Sequence, residues 1–281
     1  MINYRSLRVA LLGGGTVGAQ VARILLEHRD ELASRVGATL DLVGIAVRDV
    51  SAPRSADLPK ELFTTDAESL ILGADIVIEV MGGLEPARTY ILQALNSGAD
   101  VVTANKALLA NHGPELYAAA EQVGAQLYYE AAVAGAIPII RPLRDSLAGD
   151  RIDRVMGIVN GTTNYILDAM DATGASFDDA LAVATELGYA EAEPSLDIDG
   201  HDAAHKIGIL ASLAHGFWVR PETIHTEGIR HISKLDIQFA GQLGYTIKLL
   251  GIGVAFAILL DATLIRAILV PALMRLFGEW N

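Results

Sequence analysis

Six residues near the start of the chain constrain its folding more than any other stretch. Gly13-Gly14-Gly15-Thr16-Val17-Gly18 carries the spacing Gly-x-Gly-x-x-Gly at Gly13, Gly15 and Gly18. An apolar run at residues 7–12 leads into it. Residues 17–35 follow, with Val21, Ile24, Leu25 and Leu32 on one side of a helix. Strand, glycine turn and helix in that order form the context in which such a loop holds a dinucleotide. Gly13 permits the tight turn, Gly15 lets the backbone approach a pyrophosphate, and Gly18 lets helix and strand pack closely. The phosphates would rest on the N–H groups at the positive end of the helix, which Thr16 and Val17 open.

The pattern then repeats. Residues 40–47, 76–80, 101–103 and 127–130 read as strands, and residues 85–97 and 114–123 as helices. Alternation of this kind predicts an α/β fold with a Rossmann-like, doubly wound parallel sheet. From about residue 150 the texture changes to one strand, residues 151–159, and helices at 165–170, 177–187 and 201–214. The expected division is a dinucleotide-binding domain over 1–148, a shorter α+β substrate and dimerisation domain over 149–250, and an apolar helical tail over 251–281. The chain is 52% apolar and 20% charged, ample for a buried core. Lys and Arg number 21 against 34 Asp and Glu, a net charge of −13, which argues against nucleic acid as a partner. The absence of Cys excludes disulfides, thiolate catalysis and Cys-ligated metals. With no signal-like segment ahead of residue 7, the sequence predicts a cytoplasmic protein.

Two cations sit at predicted strand ends. The second strand closes with Val47-Arg48-Asp49, where an acidic residue commonly binds the ribose hydroxyl. Arg48 there suits a ribose phosphate, which favours NADP, while Asp49 keeps NAD open. Lys106 follows Thr103-Ala104-Asn105 at the end of the fourth strand. Ligands of open α/β sheets bind outside such ends, so Lys106 is either a cofactor and substrate contact or a surface lysine at a helix start.

The densest chemistry lies between Glu191 and Lys206. Glu191, Glu193, Asp197, Asp199 and Asp202 fall within twelve positions. A helix starting near His201 puts Asp202 and Lys206 on one face at i,i+4. Carboxylates beside one lysine suit a substrate that carries an ammonium and a hydroxyl group. The acids bind the ammonium, and the lysine moves the hydroxyl proton. A solvated acidic loop with one helix-surface ion pair is the plainer alternative. His201 and His205, also i,i+4, admit a zinc hydrolase, although the acid beside the first is Asp202 and not Glu.

These residues together resemble a family. Residues 184–206 closely resemble the homoserine dehydrogenase signature at Ala184, Gly188, Tyr189, Pro194, Asp197, Ile198, Gly200, Asp202 and Lys206, with Glu193 a departure. Residues 13–18, Ala104-Asn105-Lys106, residues 130–137 and residues 160–167 are similar to the family in the same order. The resemblance covers about residues 5–251. It implies NAD(P)-dependent interconversion of L-homoserine and L-aspartate 4-semialdehyde, in threonine, isoleucine and methionine biosynthesis, by a homodimer. Lys206 and Lys106 are then catalytic, and Glu191, Asp197 and Asp202 hold the substrate. Gly13, Gly15, Thr16, Val17, Gly18, Arg48, Lys106 and Gly188 line the cofactor site. Glu130, Val133, Gly135 and Ile137 match a sodium-binding loop of the family.

The C-terminus departs from the family, whose members continue well past Leu250. Residues 249–274 carry only Asp261 and Arg266 as charged groups. Residues 251–281 resemble the last membrane helix of the mycobacterial-type RND lipid transporters, and 249–274 is long enough to span a bilayer. A second reading follows: a catalytically impaired, membrane-associated fusion remnant that retains a nucleotide-binding fold.

Overall fold

The computed structural model describes residues 5–53, 57–191 and 193–254. The chain divides into two compact units, Met1–Ile140 and Arg141–Asn281. The division falls ahead of the expected boundary at residue 148.

The first unit is built on one six-stranded sheet. Its strands are β1 (Arg5–Leu12), β2 (Ala38–Ala46), β3 (Phe63–Thr64), β4 (Ile76–Glu79), β5 (Asp100–Thr103) and β6 (Leu127–Tyr128). They lie in the order β3-β2-β1-β4-β5-β6, and every neighbouring pair is parallel. The chain therefore winds outward one way from β1 and the other way from β4. The switch point between those two strands is where a doubly wound sheet binds its ligand, outside the C-terminal strand ends. Val9, Ala10, Leu11 and Leu12 at the end of β1 are at most 1% exposed, as a strand covered on both faces must be.

Among the described residues, five α-helices pack in this unit: α1 (Thr16–Glu27), α2 (Arg29–Val36), α3 (Ala67–Leu72), α4 (Ala87–Asn96) and α5 (Lys106–Val123). The single helix expected over residues 17–35 is two helices, interrupted at His28, whose φ of −108° and ψ of 25° leave the helical region. Asp30 and Glu31 sit in the first turn of α2, where carboxylates favour a new helix start. The helix expected to open at Pro114 starts eight residues earlier, at Lys106, because the Asn105 side chain caps it by accepting from the Leu108 amide. Pro114 lies inside α5. The strand expected over residues 127–130 stops at Tyr128, and Glu130–Ala132 form a 3₁₀ turn.

The second unit pairs β7 (Arg154–Gly157) with β8 (Gly251–Val254) in an antiparallel ribbon. Around it lie α6 (Gly161–Thr173), α7 (Phe177–Glu186), α8 (Ser195–Ile198), α9 (His201–His215) and α10 (Lys234–Gln242). Ile166, Leu167, Met170, Ala184, Ile198 and Ile237 form a shared apolar core. The start of the expected tail is thus a strand and not a helix. Gly251 and Gly253 let β8 approach α9 closely, since a Cβ at Gly253 would lie 3.0 Å from that of Ala211. Residues 255–281, the rest of the tail, lie outside the described residues. Among the described residues, no helix is long and apolar enough to cross a membrane.

Candidate active site

The glycine loop is built as its spacing predicts. Gly13 has a φ of +112°, and a Cβ on it would lie 2.9 Å from the Val80 carbonyl oxygen. A Cβ on Gly18 would lie 1.9 Å from the Gly13 carbonyl oxygen, so the turn and the first helix coil can meet only through a bare backbone. Around Gly15 the opposite holds. No atom lies within 4 Å of where its Cβ would stand, and its φ of −76° and ψ of −165° are ordinary extended backbone. Neither the packing nor the backbone conformation of the protein therefore requires a glycine at position 15. Gly15 also caps α1 without a side-chain hydrogen bond, and Thr16 and Val17 beside it are exposed.

A cavity of about 920 Å³ opens at this loop, lined among others by Gly13, Gly15, Arg48, Asp49, Met81 and Gly82. That volume suits a dinucleotide-sized ligand. Arg48 and Asp49 are both exposed. The Asp49 carboxylate turns back on its own loop and accepts from the Ser51 amide at 2.8 Å and the Ser51 hydroxyl at 2.7 Å.

At the ends of β4 and β5 lies a network that the sequence reasoning missed. Glu79 is fully buried, and its Oε1 accepts from the Met81 amide at 2.7 Å and the Gly82 amide at 3.2 Å. The Thr103 hydroxyl donates to its Oε2 at 2.6 Å and accepts from the Asn105 amide at 3.0 Å. The Asn105 side chain then donates to the Gly83 carbonyl at 2.6 Å. Glu79 thus shapes the cavity wall at Met81 and Gly82 and, through Thr103, the turn that presents Lys106, which is half-buried as the first residue of α5. A lone acid closing the apolar run Ile76-Val77-Ile78 is the signal that could have revealed it.

In the second unit the structure sorts the five carboxylates. Glu193 accepts from Ser195, and this hydrogen bond holds its carboxyl below the usual carboxylate range. Asp199 accepts a two-pronged bond from the Arg230 guanidinium, and that hydrogen bond likewise keeps its carboxyl low. Both of these serve the loop. Asp197 and Asp202 meet elsewhere, at the side chain of Asn160, whose Nδ2 lies 2.7 Å from Asp197 Oδ1 and 2.8 Å from Asp202 Oδ2. Lys206 Nζ is 2.8 Å from the same Asp202 oxygen and donates to the Val159 carbonyl, also at 2.8 Å. The Asp202 side chain is 4% exposed and that of Lys206 17%, so this i,i+4 pair is largely withdrawn from water. Glu191 is exposed. Gly188 follows the end of α7 at a φ of +76°. The zinc reading fails: Asp202 is engaged by Lys206 and Asn160, and no cluster of three metal-binding side chains occurs among the described residues.

Residues 130–137 form a tight loop in the first unit. Glu130 Oε1 accepts from the Ile139 amide at 2.6 Å and the Ile140 amide at 2.8 Å, and Gly135 turns the chain at a φ of +50°. Val133 is buried, and Ile137 is 65% exposed.

A doubly wound parallel sheet with a glycine cradle at its switch point defines a dinucleotide-binding α/β protein. Comparison with known proteins narrows the class. Residues 13–130 match the model described as the homoserine dehydrogenase NAD binding domain, and residues 138–273 the homoserine dehydrogenase model. That second match runs well into residues 251–281, the stretch expected to be foreign to the family. The Corynebacterium glutamicum homoserine dehydrogenase is 58% identical over 246 residues, 87% of this chain and 55% of that protein. Among solved structures, the Thiobacillus denitrificans homoserine dehydrogenase superposes with a TM-score of 0.82 at 44% identity, over 90% of this chain and 59% of that one. A putative homoserine dehydrogenase from Archaeoglobus fulgidus gives 0.77 at 33% identity, over 88% and 80%. A hyperthermophilic archaeal homoserine dehydrogenase in complex with NADPH gives 0.74 at 29%, over 89% and 79%. The chain belongs to the homoserine dehydrogenase family. It spans about half the length of the curated relatives it matches.

Proposed function

We propose that this chain carries the family's chemistry, the NAD(P)-dependent interconversion of L-homoserine and L-aspartate 4-semialdehyde. The observation that carries this reading is the Lys206–Asp202 pair, withdrawn from water and set beside Asp197, in a chain whose other unit holds a glycine cradle. A nicotinamide held at that cradle would supply the hydride acceptor, with C4 of homoserine as the donor. Lys206 takes the hydroxyl proton in that direction and returns it in reverse. Asp202 and the Val159 carbonyl hold its Nζ in place, and that nitrogen takes the proton as the amine and returns it as the ammonium. Asp197 and Asp202, with Glu191 on the exposed loop, attract the substrate ammonium. Lys106, at the N-terminal end of α5, is the cation on the cofactor's side.

The residues of the cradle fit such a cofactor: Gly15 leaves open space, and the amides of Thr16, Val17 and Gly18 start an uncapped helix. Arg48 favours NADP, because the competing acid, Asp49, is occupied by Ser51. By family resemblance we read Glu130, Val133, Gly135 and Ile137 as a sodium loop, in which oxygen donors of the kind hard cations prefer would hold the ion.

The test is NADP reduction by the purified 281-residue chain with L-homoserine, followed by the absorbance of the reduced nicotinamide. Homoserine-dependent reduction that disappears in Lys206→Ala supports the reading. Cofactor binding without any homoserine-dependent reduction overturns it and leaves a nucleotide-binding fold alone.

A further inference from the structure

Asn160 makes four hydrogen bonds with one side chain. Its Oδ1 accepts from the Thr163 amide at 2.9 Å and the Thr163 hydroxyl at 2.8 Å. A backbone amide can only donate, so the oxygen must face Thr163 and the Nδ2 group must face the carboxylates. Its two N–H bonds then go to Asp197 Oδ1 on α8 and Asp202 Oδ2 on α9. Asn160 is 4% exposed, and every donor and acceptor of its side chain is used.

The consequence is electrostatic. Two carboxylates that would otherwise repel are held within the span of two hydrogen bonds by a neutral group. Asp202 Oδ2 is also the oxygen that binds Lys206 Nζ, and the Val159 carbonyl, one residue before Asn160, is the other acceptor of that ammonium. The dipeptide Val159-Asn160 thus sets both bearings of Lys206, one directly and one through Asp202. The same Asn160 oxygen caps the start of α6.

Resting on the reading of Lys206 as the proton carrier, we infer that Asn160 is a positioning residue that clamps Asp197 and Asp202 together and thereby aims Lys206. Its capping role and its clamping role are chemically separable. Ser and Asp cap a helix about as well as Asn, because the cap needs only an oxygen. Neither can donate two N–H bonds, and Asp adds a third carboxylate against the other two.

The experiment compares Asn160→Ser, Asn160→Asp and Asn160→Ala in the full chain. The Ser variant keeps a thermal midpoint near the parent's, the Asp variant loses stability at neutral pH because a third carboxylate is buried against two others, and both keep cofactor affinity, which resides in the first unit. The Ser variant loses about tenfold to a hundredfold in kcat, the scale of a misaimed catalytic group, and the Asp variant loses more. The Ala variant loses stability as well. Parent-like kcat and KM for homoserine in a folded Ser or Asp variant would overturn the clamp. So would losses of kcat that merely follow the loss of thermal midpoint. Should the parent chain itself not turn over, the proposed function fails but the clamp is still read by NMR. Asp202→Asn and Asp197→Asn must each shift the Asn160 side-chain amide protons, and their failure to do so would refute the contact.

Discussion

Gly15→Ala separates what the fold needs from what the ligand needs. The added Cβ meets no atom within 4 Å, and the backbone at this position is already in a region any residue adopts. Replacing glycine by alanine at such a site stabilises by about 0.4–1 kcal/mol, because the unfolded chain loses freedom. The thermal midpoint should therefore hold or rise by about 1–4 °C. A pyrophosphate drawn onto the first-turn amides would meet the methyl group instead. If it forfeits one charge-assisted hydrogen bond, worth about 1.5–3 kcal/mol, affinity falls about tenfold to 150-fold. Titration of the parent and the variant with NADPH, by quenching or energy transfer from the chain's own fluorescence, reads this directly. Scanning calorimetry of the same samples reads stability. A variant as stable as the parent and tenfold or more weaker for NADPH is the expected outcome. Unchanged affinity would refute the placement of phosphates at Gly15, and a large loss of stability would refute the geometry of the loop.

Three further perturbations test other parts of the account. Lys206→Ala should lower kcat by about 10²–10⁴ while NADPH affinity, measured by titration, stays at the parent's value; full turnover would remove Lys206 from the mechanism. Arg48→Ala should weaken NADP binding by about tenfold or more and leave NAD binding nearly unchanged. Equal losses for both cofactors would show that Arg48 does not read the ribose phosphate. The Asp199–Arg230 bond holds the aspartate carboxyl below its ordinary value, so it stabilises the fold above the unfolded carboxylate pKa of about 3.9. That contribution is lost as pH falls through the lower, folded value. The difference in thermal midpoint between the parent and Arg230→Met should thus be present at neutral pH and vanish in acid. A difference that persists through strongly acidic pH would contradict the pairing.

The parallel sheet was legible because its cues are local: apolar runs, a glycine turn, and helices with apolar residues on one side. The cues that failed are those in which tertiary context or a single cap decides. His28 divides a helix that the apolar pattern continues through, and Asn105 starts α5 ahead of a proline that resembles a helix start. The Gly251–Val254 strand sits in an apolar stretch whose composition suggests a helix, yet its glycines are what α9 requires. At the candidate site, Asp202 and Lys206 followed from i,i+4 spacing and pair as expected. Asn160 and Glu79 did not follow from sequence reasoning. Asn160 reads as one polar loop residue among several, and its partners lie 37 and 42 positions away. Glu79 has a partner 24 positions away on a neighbouring strand. Hydrogen bonds across such separations leave no periodic trace in a sequence. The commitment of Glu193 to Ser195 and of Asp199 to Arg230, which sets two of the five carboxylates apart, is equally invisible until the chain is folded.

Isotope transfer tests the central claim most directly. L-homoserine carrying deuterium at C4 is incubated with NADP and the purified chain, and the reduced nucleotide is examined by mass spectrometry. Hydride transfer from the carbon that bears the hydroxyl predicts one deuterium in the reduced nicotinamide, with aspartate 4-semialdehyde formed in equal amount. Reduced nucleotide without deuterium, or none above a control lacking the chain, would contradict the account.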